Sequence, residues 1–106
     1  MSNPVAKSAG ILITTKIEEE DENGLLKTVN ISSADVMKLH IIPLKAGSSK
    51  IVDAVFKTNG EDGKMDYWTT KTTFESGGQW RLHPYIEMTG YEGYTSPFEI
   101  MVDDAP

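Results

Sequence analysis

An all-β antiparallel sandwich is the fold class this sequence predicts, and three observations predict it. Apolar and polar side chains alternate at every second residue along several short runs. The clearest is residues 78–88, where Trp80, Leu82, Ile86 and Met88 fall on one face and Arg81, His83, Tyr85 and Glu87 on the other. Turn residues punctuate these runs roughly every eight to twelve positions. No stretch carries a convincing helical period. The length of 106 residues fits one domain, because a chain of this size buries only about two-thirds of its unfolded surface and cannot supply two stable cores.

The elements follow in chain order. Residues 1–10, with Ser2, Asn3, Pro4, Ser8 and Gly10, read as a flexible N-terminal arm that frays or docks on a neighbour, with Pro4 and Val5 as candidate contact residues. The globular domain spans residues 11–102. Ile11, Ile13, Thr15 and Ile17 alternate with Leu12, Thr14 and Lys16, a β-branched strand. The carboxylates at 18–22, followed by Asn23-Gly24, read as a solvated turn, since like charges repel and Asn-Gly tolerates turn backbone. Strand character resumes over 25–31. Residues 36–42 form the next strand, with Met37, Leu39 and Ile41 opposed to Lys38, His40 and Ile42. Pro43 then removes a ladder donor, and residues 45–50 have loop chemistry.

Residues 51–58 place Val52, Ala54 and Phe56 on one face of a strand, and the Asn59 to Gly63 segment is a hairpin signal leading into a partner strand over 65–70. Residues 71–78 read as a polar loop. After the Trp80 strand come a turn at 89–93, a last strand over 94–102 and a short tail, 103–106. The expected core combines Ile11, Ile13, Ile31, Leu39, Ile41, Val52, Phe56, Trp68, Trp80, Leu82, Ile86, Phe98, Ile100 and Val102, so that both tryptophans lie between two layers.

Composition narrows the function. Ten Lys and Arg against sixteen Asp and Glu give a net charge of −6, which opposes binding to nucleic-acid phosphates or to an anionic membrane surface. Neither partner is expected. The sequence has no cysteine, which removes disulfides, thiolate nucleophiles and zinc-thiolate sites together. No apolar run has the length of a membrane-spanning helix or the form of a signal peptide.

Candidate chemistry is sparse. Glu18, Glu19, Glu20, Asp21 and Glu22, with Asp103 and Asp104, offer hard oxygen ligands for calcium, but a contiguous run splays its carboxylates where a calcium loop interleaves them with turn residues. A solvated acidic edge is the better reading. His40 and His83 would need facing strands and a nearby carboxylate to hold a metal, so they are read as structural. The hydroxyls of Thr69, Thr70, Thr72, Thr73 and Ser76 sit in no nucleophile elbow. Glu87 and Glu99, which could be posed as a glycosidase pair, are read as solubilising. Catalytic, cofactor and metal residues are thus expected to be none. Tyr85, Tyr91 and Tyr94, around the 89–93 turn, remain as the candidate surface for a partner protein or a glycan, because tyrosine joins rigid contact area to a polar tip.

Two resemblances follow from these residues. Gly78-Gln79-Trp80-Arg81-Leu82 resembles the strand-F signature of immunoglobulin-like domains, with Trp80 where a tyrosine usually stands and Leu82 where a cysteine often does. The resemblance implies an immunoglobulin-like antiparallel β-sandwich of about seven strands, with an indole N–H available to replace the tyrosine hydroxyl bond. More broadly, the succession of Ser-Ala-Asp before Val-Met-Lys-Leu-His-Ile-Ile-Pro, then Tyr-Trp-Thr-Thr, then Gly-Gln-Trp-Arg-Leu-His-Pro-Tyr-Ile-Glu-Met-Thr-Gly-Tyr-Glu-Gly and Phe-Glu-Ile-Met-Val is similar to small stand-alone virion proteins of tailed bacteriophages. It covers residues 11–102, strongest over 78–102. It implies a non-enzymatic component of the tail, baseplate or fibre, located in the virion, present in several copies and partnered by other virion proteins. The alternatives are a carbohydrate- or host-surface-binding module and a capsid decoration protein, both using Tyr91 to Tyr94.

Overall fold

Backbone pairing between short strands organises the chain, whose computed structural model describes residues 3–45 and 47–106. The strands are β1 (Leu12–Lys16), β2 (Glu18–Glu20), β3 (Leu26–Thr28), β4 (Val36–Pro43), β5 (Lys50–Asp53), β6 (Val55–Phe56), β7 (Lys64–Trp68), β8 (Gly78–Met88), β9 (Tyr91–Tyr94) and β10 (Phe98–Val102). No helix forms among the described residues, and none is long and apolar enough to cross a membrane. The larger sheet has the order β10-β8-β4-β5, with β9 beside β10 on the same flank of β8. A three-stranded sheet, β1-β7-β6, and the β2-β3 hairpin complete the fold, and every strand pair is antiparallel. This all-β arrangement is consistent with a β-sandwich.

The inner faces of the two main sheets feed one core. β8 contributes Trp80, Leu82, Pro84 and Ile86, β4 contributes Leu39 and Ile41, and β1 and β7 contribute Ile13 and Met65. The period-2 reading of residues 78–88 is therefore correct. Trp80 also donates its indole N–H to the Ser76 carbonyl at 3.0 Å, the donation anticipated for that position.

Several expectations are corrected. Trp68 is not in the core: Met65 is fully buried, and a strand's period of two then sends Tyr67 inward and Trp68 out. Residues 51–58 do not form one strand. The chain leaves β5 in the large sheet and enters β6 in the small one, turning at Ala54, whose N–H bonds the Met37 carbonyl. Alternation could not reveal this, since Val52, Ala54 and Phe56 face the core from whichever sheet holds them. Residues 94–102 are likewise divided between β9 and β10; with Glu18–Glu20 as a further strand, the described residues form ten strands where about seven were expected.

The acidic block is no simple turn either. Glu18–Glu20 is a strand, and the turn begins only at Asp21, whose carboxylate accepts the N–H groups of Asn23 (2.8 Å) and Leu25 (3.0 Å). These bonds, Leu25's above all, hold its pKa below the ordinary carboxylate range against the opposing effect of burial, with Lys27 helping. Residues 25–31 form only the three-residue β3. The polar loop hides two core side chains: Phe74 packs edge-on to Trp80 at 5.3 Å, and buried Thr73 accepts the Thr70 N–H and bonds the Tyr67 hydroxyl.

The two chain ends hold each other. Val5 bridges Asp103 in parallel, Ala6 N–H donates to the Asp103 carbonyl, and Asp103 N–H donates to the Pro4 carbonyl, each bond 2.8 Å long. Ala6 is buried. From residue 3 onward, the segment expected as a free arm is tied to the chain's own last strand; Met1 and Ser2 lie outside the described residues, as does Ala46 of the 45–50 loop. The tail is held as well, with the Asp104 carboxylate accepting the Gly77 N–H at 3.1 Å.

Candidate interaction surface

The outer face of the large sheet gathers both histidines and two of the four tyrosines of the chain, Tyr85 and Tyr94. Register puts His40 opposite His83 across β4 and β8, and Tyr85 between Lys38 on β4 and Tyr94 on β9. Three rings surround that of Tyr94, His83 at 4.8 Å, Tyr85 at 5.1 Å and His40 at 6.3 Å between centroids. Tyr94 itself is 47% exposed. The Tyr85 hydroxyl donates to Glu87 at 2.9 Å. That bond, then burial, then the negative charges of Glu87 and Glu92 push the phenol's pKa up to about 12. Ion pairs frame the patch, Lys38 with Asp53 at 3.2 Å and Arg81 with Glu99 at 3.3 Å.

A proline inside a central strand explains how the patch is shaped. Pro84 is buried between β4 and β9, a position where a missing N–H would normally break the ladder. Its carbonyl accepts the Thr95 N–H at 2.9 Å, so its backbone faces the β9-β10 flank, and there the chain steps out of the ladder. Between the pairs Tyr85↔Tyr94 and Leu82↔Phe98, Thr95, Ser96 and Pro97 stand opposite only His83 and Pro84. The extra residue is a β-bulge, a feature that bends a strand and re-aims the side chains beside it. No neighbouring strand needs the donor that Pro84 lacks.

The structure brings together Tyr85 and Tyr94 but not Tyr91. Tyr91 pairs with Met88 on the opposite face of the sheet, and its hydroxyl donates to the Tyr94 carbonyl at 2.5 Å. It lines instead a cleft of about 630 Å³ between the β8-β9 and β2-β3 hairpins, where Ile17, Val29, Ile86 and Met88 form an apolar floor beside Glu18, Glu19 and Glu20. Pro4 and Val5 are engaged with Asp103 within the chain rather than free for a partner. His40 and His83, read from sequence as bland positions, are direct cross-strand neighbours in the patch. Only the β4-β8 register could have revealed that.

The other candidate groups do not converge. Glu87 stands opposite Glu92, whereas Glu99 stands opposite Arg81 further along β8. Glu18 to Glu20 line the cleft near Met88, while Asp103 and Asp104 lie near Gly78, at the other end of β8. Among the described residues no three His, Asp or Glu side chains are grouped to hold a metal ion. Comparison with protein-family models and with curated proteins finds no match to this chain.

Proposed function

We propose that this protein is a non-enzymatic structural component of a tailed-bacteriophage particle, an immunoglobulin-like module that joins other virion proteins in the tail, baseplate or fibre. The observation that carries the reading is the Tyr94 patch: four rings on the outer face of the large sheet, braced by cross-strand register, with Tyr94 exposed and the other three half-buried around it. Amphipathic rings held rigid in this way lose little conformational freedom when a partner covers them, which is why tyrosine is enriched at interface centres. The Trp80 indole bond to Ser76 supports the immunoglobulin-like part of the proposal, since it reaches back along the chain as the tyrosine hydroxyl does in that fold.

Glycan binding by the same tyrosines is less well supported. Tyr85 stands at 64° to Tyr94 and Tyr91 points to the other face, so the three do not make the flat platform on which a sugar ring stacks.

The test is incorporation. In purified particles of a phage encoding this chain, quantitative mass spectrometry should find it at a fixed copy number. A His83→Ala/Tyr94→Ala double variant supplied in its place should fold yet be lost from the particles. Absence of the wild-type chain from purified particles overturns the proposal, and saturable glycan binding abolished by Tyr94→Ala would favour the rival.

A further inference from the structure

Exposed sheet edges invite strand addition, and folded proteins protect them with short strands, inward charges, bulges or covering segments. The two main sheets here end in four edges, β1 and β6 in the small sheet and β5 and the β9-β10 flank in the large one. Three carry such a device. β6 is only two residues long. β5 turns Lys50 inward, opposite Ile41, where its ammonium bonds the Thr72 carbonyl and lies 3.3 Å from Glu75. The β9-β10 flank is interrupted by the bulge and Pro97, and residues 4–6 cover its far end through Asp103.

β1 has none of these, and its one protective feature is the exposed Lys16 at its end. Its five residues include no proline, its inward side chains are Ile13 and Thr15, and its one charge, Lys16, points outward. The bonds from Thr69 N–H to the Ile11 carbonyl and from Ile17 N–H to the Gly63 carbonyl show that odd-numbered residues address β7. Leu12, Thr14 and Lys16 therefore turn their N–H and C=O groups toward the open side. Beside this edge Leu12, 37% exposed, lies opposite Trp68, 58% exposed, an apolar pair at one end of an outer face that is otherwise polar through Thr14↔Asp66 and Lys16↔Lys64.

We propose that β1 pairs with β1 of a second copy of this chain, antiparallel about a two-fold axis through Thr14. Leu12, Thr14 and Lys16 then meet Lys16, Thr14 and Leu12 of the other copy, and two three-stranded sheets become one of six strands. The strand is complementary to itself in this register. Within one chain Lys16 sits across from Lys64, and among the described residues neither has a carboxylate within ion-pair distance. Across the axis each Lys16 lies beside Leu12 of the second copy, its stem over that leucine and its ammonium directed toward the exposed Trp68 ring, a cation–π arrangement. The two Lys16 residues, four strand positions apart, are separated by about 13 Å, beyond the Debye length of about 8 Å at physiological salt. Threonines at the axis form a favourable cross-strand pair. One strand pair and two indoles fall below the roughly 1,200 Å² of a standard interface, so the dimer is weak and forms at high protein concentration.

Sedimentation equilibrium from micromolar to millimolar protein, in about 0.15 M salt, should show a monomer–dimer equilibrium. Amide exchange by NMR should slow at Leu12, Thr14 and Lys16 as the concentration rises. Thr14→Pro removes an outward N–H and an exposed side-chain bond to Asp66 but no ladder bond; it should weaken the dimer at least about tenfold. Trp68→Thr, on the outer face, should weaken it as well while leaving the monomer's urea-unfolding midpoint near that of the wild type. A wild-type chain that stays monomeric at millimolar concentration, a Thr14→Pro dimer of unchanged strength, or concentration-dependent protection on β5 instead of β1 would each overturn the pairing. This inference does not rest on the virion reading: a chain that enters particles as a monomer refutes only the pairing, and a dimer absent from particles refutes only the virion role.

Discussion

Replacing Thr15 by valine should make this protein more stable, a sign opposite to that of most core substitutions. Thr15 is 3% exposed and faces the core from β1, and its Oγ1 is a buried side-chain oxygen without a hydrogen-bond partner. Burying a hydroxyl unpaired costs about 1–3 kcal/mol by mutational measures. Valine has nearly the same shape, so Thr15→Val removes that cost without opening a cavity and adds a β-favouring methyl. The expected gain is about 1–2 kcal/mol, which for a domain of this size raises Tm by roughly 5–10 °C. Urea and thermal unfolding followed by tryptophan fluorescence, with an unchanged m value, would measure it. Thr69 is the control: it is 4% exposed, yet its Oγ1 accepts the Ile11 N–H at 3.0 Å and donates to the Ser8 carbonyl at 3.1 Å. Thr69→Val leaves both backbone groups without that partner and should cost about 1–3 kcal/mol. If Thr15→Val lowers the urea midpoint, or both variants shift it in the same direction, the argument from hydroxyl pairing fails.

Other outcomes follow from single residues. Gly63 has φ +70° and an added Cβ would lie 2.7 Å from the Val29 carbonyl oxygen and 2.9 Å from that of Ile17, whereas Gly10, at φ +80°, has open space around it. Gly63→Ala should therefore combine left-handed strain with overpacking and cost about 2–5 kcal/mol, against about 1–2 kcal/mol for Gly10→Ala, both read from urea midpoints. In an alkaline titration followed by tyrosinate absorbance, Tyr85 should ionise near pH 12 and move back toward pH 10 in Glu87→Gln. Because the folded state favours the neutral phenol, the stability Tyr85 contributes is intact below pH 10 and is lost as the pH rises through about 12. Asp21 works in the opposite sense: its acidity is increased by folding, so its contribution is present above its ordinary pKa of 3.8 and is lost as the pH falls below that. In Asp21→Ala the acid-side loss of stability should shrink, and the Asn23 and Leu25 amides should exchange faster.

What was legible in the sequence was the strand whose two faces meet different solvents. Trp80, Leu82 and Ile86 could be assigned inward because Arg81, His83 and Tyr85 between them could not all be buried. Periodicity is silent about which strand is the partner. Residues 51–58 keep one alternation while changing sheets, and Trp68, expected in the core, points outward because Met65 decides the parity of β7. Phe74 was missed because threonines, a lysine and a glutamate surround it, and it is the Thr73 hydroxyl, bonded to Tyr67 and Thr70, that lets so polar a loop turn inward. The candidate surface was half legible. Tyr85 and Tyr94 share a face by their register across β8 and β9, but Tyr91 lies an odd number of positions from Tyr94 and must face the other way. The histidines required a long-range pairing between β4 and β8 that no local pattern encodes.

The Tyr94 patch and the β1 edge belong to different sheets, and that separation has consequences for assembly. Both sheets turn their inner faces to a single core, so their outer faces point in opposite directions. Pairing through β1 extends the small sheet in its own plane and leaves the Tyr94 face of the large sheet uncovered. An antiparallel strand pair is symmetric about an axis normal to the sheet, so both copies set their large sheets on the same side. A dimer would then present two Tyr94 patches to one partner surface. Two weak contacts joined in this way strengthen attachment by roughly 10²–10⁴ over either alone when both can engage at once, so a β1 edge too weak to hold a dimer in dilute solution becomes effective once the copies are concentrated on a common partner. Thr14→Pro should accordingly reduce incorporation into particles even though it touches none of the residues in the patch.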